Sequence, residues 1–198
     1  MVSDTLVLGF DTSAAHCAAA LLSGDTILAS RSEEMGRGQA ERLIPLLQEV
    51  LGEAGVAWGD LARLGVGIGP GNFTGIRISV AAARGLALAL DIPAIGISSF
   101  DVIDRLNGPT CLAVVPAPRD QAYVRAPGGA PRLLPLAETE DSGLIPALPP
   151  KPALLAQTIA RLAAASSADG PAPAPLYIRP ADAAPARDLP PVILADDA

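Results

Sequence analysis

Short apolar runs alternate along this chain with longer segments in which apolar residues return every three or four positions. The run over residues 5–10 ends at Asp11-Thr12-Ser13 and predicts a strand leading into a turn. Runs over 17–22 and 26–30 flank Ser23-Gly24-Asp25, which predicts an antiparallel hairpin. Over 39–54, Ala40, Leu43, Ile44, Leu47, Val50, Leu51 and Ala54 share one helical stripe, and Leu46 widens it beyond what a single sheet contact requires. Pro45 lies inside this stretch, where proline costs about 3 kcal/mol, so the helix either starts just before it or bends there.

Residues 64–68 read as a buried strand, 74–90 as a second helix, 94–97 as a strand and 99–106 as a short helix. The second helix is apolar almost all round, with only Arg77 and Arg84 charged, and so must be covered on nearly every side. A partner chain is one source of that cover, and a fully internal position is the other.

Composition divides the chain near residue 108. Of the 20 prolines, 17 lie from Pro109 onward, while 14 of the 19 glycines precede residue 108. Proline fixes φ and lacks a donor, so the later part can hold only short elements. Strands are expected over 111–115 and 121–124, an edge strand over 131–136, and a helix over 153–165. A linker is expected over 166–175 and a last docking strand over 176–179. The expected division is a first domain over 1–107, a shortened proline-rich second domain over 108–182, and a flexible tail over 183–198.

Half of the residues are hydrophobic, enough for a core, but only 3% are aromatic. The net charge of −7, with Lys151 the only lysine, gives no basic stripe for phosphate backbones, so any RNA would be held by another chain. Cys17 and Cys111 have no metal-ligand spacing and read as buried thiols of a reducing compartment. Residue 4 is Asp where a signal peptide would carry basic residues, and arginines break the longest apolar stretch. A cytoplasmic protein with no membrane span is expected.

Two segments suit chemistry. Gly69 to Arg77 reads GPGNFTGIR between a strand and a helix. Glycines there permit close approach, Asn72 or Thr74 can cap the helix, and exposed N–H groups at its start favour an anion, with Arg77 adding charge. The alternative is a plain tight turn, since no Gly-Lys-Ser/Thr phosphate loop is present. Asp11 and Thr12 end the first strand, where they suit either a phosphate and cation contact or a turn capped by the carboxylate. The candidate anion or nucleotide contacts are thus Asp11, Thr12, Gly69, Gly71, Thr74 and Arg77. His16 stands without a second histidine or a carboxylate pair in sequence, and no catalytic or metal-binding set is expected. Glu33-Glu34 reads as a solvated acidic face.

The stretches LGFDTSAAHCAAALL, ERLIPLLQEVL, LGVGIGPGNFTGIRISVAAARGLALAL and IPAIGISSFDVI resemble the TsaB (YeaZ) family over about residues 5–105, and PLYIRP resembles its C-terminal motif. The region between matches poorly: Pro116-Ala117-Pro118-Arg119 and Gln121-Ala122-Tyr123 stand where the family has a fuller second domain. The resemblance implies an α/β, ribonuclease H-like fold of the actin-like ATPase (ASKHA) type, in agreement with the order β-β-β-α-β-α-β-α read above. It implies a non-catalytic partner of TsaD, the transferase that places threonylcarbamoyl on the adenosine beside the anticodon of ANN-decoding tRNAs. TsaE joins that pair, and a homodimer forms when TsaD is absent. No cofactor is implied to bind firmly, with ATP at the boundary of the complex. TsaD carries a histidine pair on the helix corresponding to 39–54, whereas residues 36–41 here read Gly-Arg-Gly-Gln-Ala-Glu. Leu43, Leu46, Leu47, Val50, Ile76, Val80 and Ala83 are the expected partner contacts. A nucleotide-dependent phosphotransferase using Asp11 and the 69–71 turn is the alternative function.

Overall fold

The computed structural model describes residues 5–178. The expected flexible tail over 183–198 and the last residue of the expected docking strand, Arg179, lie outside the described residues.

Two mixed sheets carry the fold. The first contains β1 (Leu6–Asp11), β2 (His16–Ser23), β3 (Thr26–Glu34), β4 (Arg63–Gly67) and β5 (Ala94–Ile97), in the order β3-β2-β1-β4-β5. β1, β2 and β3 form an antiparallel meander, while β4 runs parallel to β1 and β5 parallel to β4. This is the ribonuclease H-like arrangement of the actin-like ATPase class. β3 runs to Glu34, past the predicted end at residue 30, because it pairs with β2 as far as His16 opposite Glu34.

The alternation of side chains along β1 divides the core. Leu8 and Phe10 point to the face covered by α1 (Gln39–Glu53) and α2 (Phe73–Leu90), where they meet Leu43, Leu46, Leu47, Val50 and Ala83. Val7 points to the opposite face, against Ala160 and Ala163 of α4 (Pro152–Ala165). A Cβ on Gly9 would stand 2.6 Å from the carbonyl oxygen of Ala156, so β1 and α4 touch backbone to backbone. The alanine-rich helix of the proline-rich half therefore lies on the first sheet, where it covers β1, β2 and β4.

The second sheet has the order β8-β7-β6-β9, from β6 (Leu112–Ala117), β7 (Gln121–Arg125), β8 (Arg132–Pro135) and β9 (Pro146–Ala147). Its prolines sit at strand ends and on the edge strands β8 and β9, where a missing donor costs least. α3 (Ser99–Asn107) packs Phe100 and Ile103 against Ala113 and Val115 of this sheet. The Ser98 hydroxyl accepts from the Asp101 amide at 3.1 Å, which starts α3 at the predicted place.

Pro45 sits exposed within α1, which begins six residues before it, so the helix carries the proline rather than starting there. The expected strand over 176–179 is not formed within the described residues. Leu176 instead donates one backbone hydrogen bond to the carbonyl of Ile68, at 2.8 Å, and Leu176 and Ile178 pack beside Phe100. α2 is long and apolar enough to cross a membrane, but Ile76, Ser79, Val80 and Ala83 are packed inside this fold.

Candidate functional site

The carboxyl ends of β1 and β4 lie side by side, the place where open α/β sheets receive ligands. β1 ends in Asp11, whose side chain is 1% exposed. Its carboxylate is occupied from its own turn: the Ser13 amide donates at 2.7 Å and the Ser13 hydroxyl at 2.6 Å. Thr12 is fully buried, and its hydroxyl donates to the carbonyl of Gly75 at 2.7 Å. Gly67, at the end of β4, leaves the room that Asp11 fills, since a Cβ there would stand 2.7 Å from Asp11 Oδ1.

The turn from β4 into α2 is packed against the turn after β1. Gly69 adopts φ +91°, which suits glycine. The Asn72 amide donates to the Ser13 carbonyl at 2.6 Å, and the Asn72 side chain accepts from the Gly75 amide at 2.8 Å, so Asn72 is the N-cap. A Cβ on Gly71 would collide with the Ser13 carbonyl, and one on Gly75 with the Thr12 carbonyl. These glycines therefore admit the chain's own backbone. The Asn72 amide at the start of α2 is thereby taken by the Ser13 carbonyl.

Of the six candidate anion contacts, Asp11, Thr12, Gly69 and Gly71 come together at this junction. Thr74 faces a shallow groove toward Gly36, Arg37 and Gly38. Arg77 turns outward: its guanidinium lies 3.8 Å over the Phe73 ring, and its Nε donates to the Tyr177 hydroxyl at 2.8 Å. It holds the C-terminal segment against α2, away from the junction.

Next to the junction a cleft of about 630 Å³ opens between the two sheets. Ser13, His16 and Pro70 to Phe73 form one wall, and Val115 to Pro118, Tyr123 and Pro149 form the other. His16 stands between Asp11 and this cleft. Its Nε2 is 3.7 Å from Asp11 Oδ2, buried, and without a hydrogen-bond partner among the described residues. Sequence reading gave His16 no role because its carboxylate neighbour lies across a turn. The spacing Asp11-x₄-His16 about a strand turn was the only available signal. The second wall was not legible, since it depends on how the two sheets face each other.

The seven expected partner contacts require correction. Leu43, Leu46, Leu47, Val50, Ile76, Val80 and Ala83 are all between 0% and 4% exposed within this single chain. The wide apolar stripe of α1 is consumed by β2, β3 and α2, which together wrap more of it than one sheet face would. What α2 leaves outside is another stripe, with Ala81, Gly85 and Ala89 exposed and Leu88 86% exposed. On α1, Ala40 and Ile44 are exposed. Glu33, expected to be merely solvated, is bound by Arg42, whose Nε donates to it at 2.8 Å, and Arg42 also bridges to Glu49. Hydrogen bonds from Arg42 hold both carboxyls below their usual range.

Comparison with known proteins agrees with this geometry. The model of the family described as TsaD, tRNA N6-adenosine threonylcarbamoyltransferase, matches residues 28–125. The Escherichia coli tRNA threonylcarbamoyladenosine biosynthesis protein TsaB is 35% identical over 122 residues, which cover 59% of this chain and 52% of that protein. The chain spans about half the length of the curated TsaB relatives it matches. An uncharacterized protein of Mycobacterium tuberculosis is 33% identical over 210 residues, covering 93% of this chain and 96% of that one. A Pseudomonas aeruginosa crystal structure, described as similar to peptidase YEAZ, superposes with a TM-score of 0.72 at 27% identity, over 88% of this chain and 100% of that chain. Sheet order, the packed glycine turn and these relatives converge on one assignment: the chain belongs to the TsaB (YeaZ) family.

Proposed function

We propose that this protein is a non-catalytic binding subunit in the synthesis of threonylcarbamoyladenosine on tRNA, paired with a TsaD-type transferase. The observation that carries this reading is the junction at Asp11 and Gly71. The fold's phosphate-facing turn is closed by the Asn72 to Ser13 backbone hydrogen bond, and Asp11 is taken up by Ser13. That geometry supports a fold kept for its surface, and it counts against the phosphotransferase alternative. The Escherichia coli relative's name supplies the pathway.

The docking face in this reading is the outer stripe of α2, Ala81, Gly85, Leu88 and Ala89. Small residues permit close helix approach, and Leu88 offers a large apolar side chain already in water. Residues 28–125 resemble TsaD itself, so two related chains pair through equivalent helices about an approximate twofold axis. A second copy takes the same face when the transferase is absent. TsaE joins the pair, tRNA is reached through the complex, and ATP sits at the subunit boundary. The assembly works in the cytoplasm.

The test is depletion of the protein in its own cells, followed by nucleoside analysis of bulk tRNA. Threonylcarbamoyladenosine is expected to fall, and normal levels reject the proposal.

A further inference from the structure

The outer side of α2 carries three charged residues at seven-residue intervals: Arg77, Arg84 and, at the residue that ends the helix, Asp91. Seven residues make close to two turns, so the three lie along one stripe. All three are exposed, and none has an ion-pair partner among the described residues. Between them the surface is small and open. Nothing lies within 4 Å of where a Cβ on Gly85 would stand.

Arg77 is held ready for a partner. Its guanidinium lies 3.8 Å over the Phe73 ring, its Nε donates to the Tyr177 hydroxyl at 2.8 Å, and the two rings stand 5.2 Å apart. Its terminal nitrogens make no hydrogen bond among the described residues, so the free edge of the fork is turned to the surface. A carboxylate accepts from such a fork through paired hydrogen bonds. Because the fork is already oriented, little side-chain freedom is lost when the pair forms.

A second copy cannot satisfy this stripe. Two α2 helices packed antiparallel about a twofold axis at Arg84 bring Arg77 opposite Asp91 of the second copy, but they set Arg84 against Arg84. With the axis moved toward Leu88, Arg84 meets Asp91 and Arg77 lies beyond the end of the second helix. A parallel pair sets like charges together throughout. We propose that α2 selects its partner by charge: the docking face takes a helix with carboxylates opposite both Arg77 and Arg84, supplied by the TsaD-type chain, and the like charges count against a second copy. The inference rests on the partner reading above and adds the chemistry that ranks the transferase over self-association. Tyr177 is a positioning residue in it, acting through Arg77.

Two equilibria of the full chain test it: calorimetric titration with the TsaD-type chain of its own organism, at low and high salt, and self-association by sedimentation. The parent is expected to bind the transferase, more weakly as salt rises. Arg77→Met is expected to weaken that binding at least about tenfold and to flatten its salt dependence. Arg84→Ala is expected to move the two equilibria in opposite directions, weaker with the transferase and tighter with itself. Both side chains are exposed, so circular dichroism should stay native. Transferase binding by the parent with unchanged affinity in both variants overturns the charge selection and leaves the partner reading standing. Weakening of both equilibria alike in Arg84→Ala overturns it as well. A parent that does not bind the transferase at all overturns both readings.

Discussion

The hydroxyl of Thr12 donates to the carbonyl oxygen of Gly75, 2.7 Å away, while the α-carbon of Gly75 is pressed against the carbonyl of Thr12. This reciprocal contact ties the end of β1 to the first turn of α2. It places Asp11, His16 and the glycine turn in one rigid junction, and it leaves no room for a side chain at position 75.

Gly75→Ala is therefore expected to destabilise the fold by about 1–3 kcal/mol or more, as overpacking does in a filled interior. Gly52, in the last turns of α1 with nothing near its missing Cβ, is the control. Gly52→Ala is expected to stabilise by about 0.5–1 kcal/mol, because alanine loses less backbone entropy in a helix. Urea unfolding midpoints of the two variants should move in opposite directions.

Leu46 and Leu88 separate core from surface on the two helices. Leu46 is 0% exposed, so Leu46→Arg buries an unpaired charge and is expected to cost about 4 kcal/mol or more, comparable to the whole stability of a small domain. Leu88→Arg places its charge in water and should leave thermal unfolding nearly unchanged. Co-purification with a TsaD-type chain is expected to be lost in Leu88→Arg. Retention of the partner by that variant would remove α2's outer stripe as the docking face.

Arg42 joins β3 to α1 through Glu33 and Glu49, both with carboxyl pKa values held below 4.5 by its hydrogen bonds. A depressed folded-state value means that this contribution is complete above the unfolded value of 4.5 and is lost as pH falls through the lower folded value. Arg42→Met should be less stable than the parent at neutral pH, with the gap closing under acid. A gap that stays constant from neutral pH to well below 4.5 would show that the ion pairs contribute nothing.

Cys17 is completely buried, and burial pushes its thiol up to about 11, with Glu33 adding to the shift, Arg42 opposing it and Asp11 adding to it. Thiolate is the reactive form, so Cys17 is expected to resist a thiol reagent at mildly alkaline pH in the native state. Cys111 is 6% exposed, and its thiol is raised chiefly by burial, with Asp104 adding to the shift. Two equivalents should react promptly after denaturation, matching the two cysteines, and slow or little reaction should precede it. Prompt native labelling at Cys17 would contradict the packing of β2 against α1.

Local patterns were enough for most elements of the first sheet. Short apolar runs marked β1, β2 and β3, the Ser23-Gly24-Asp25 turn marked the β2–β3 hairpin, and Asn72 was one of two candidate caps for the start of α2. Each of those signals acts within a few residues. The buried state of Leu46 and Val80 was not legible, because a wide apolar stripe looks the same whether its cover comes from this chain or from another. Nor was the role of Gly9, which admits α4 from a segment about 150 residues later in the sequence.

The glycine turn shows the same division. Its sequence, GPGNFTGIR, by itself determined a strand-to-helix junction with close backbone approach, and with it the family resemblance. Only the tertiary structure decided what makes that approach: the carbonyls of Thr12 and Ser13, from a different turn, rather than a phosphate. Glycine spacing encodes the absence of a side chain, whereas the atom that fills the vacated space is chosen by how distant strands align.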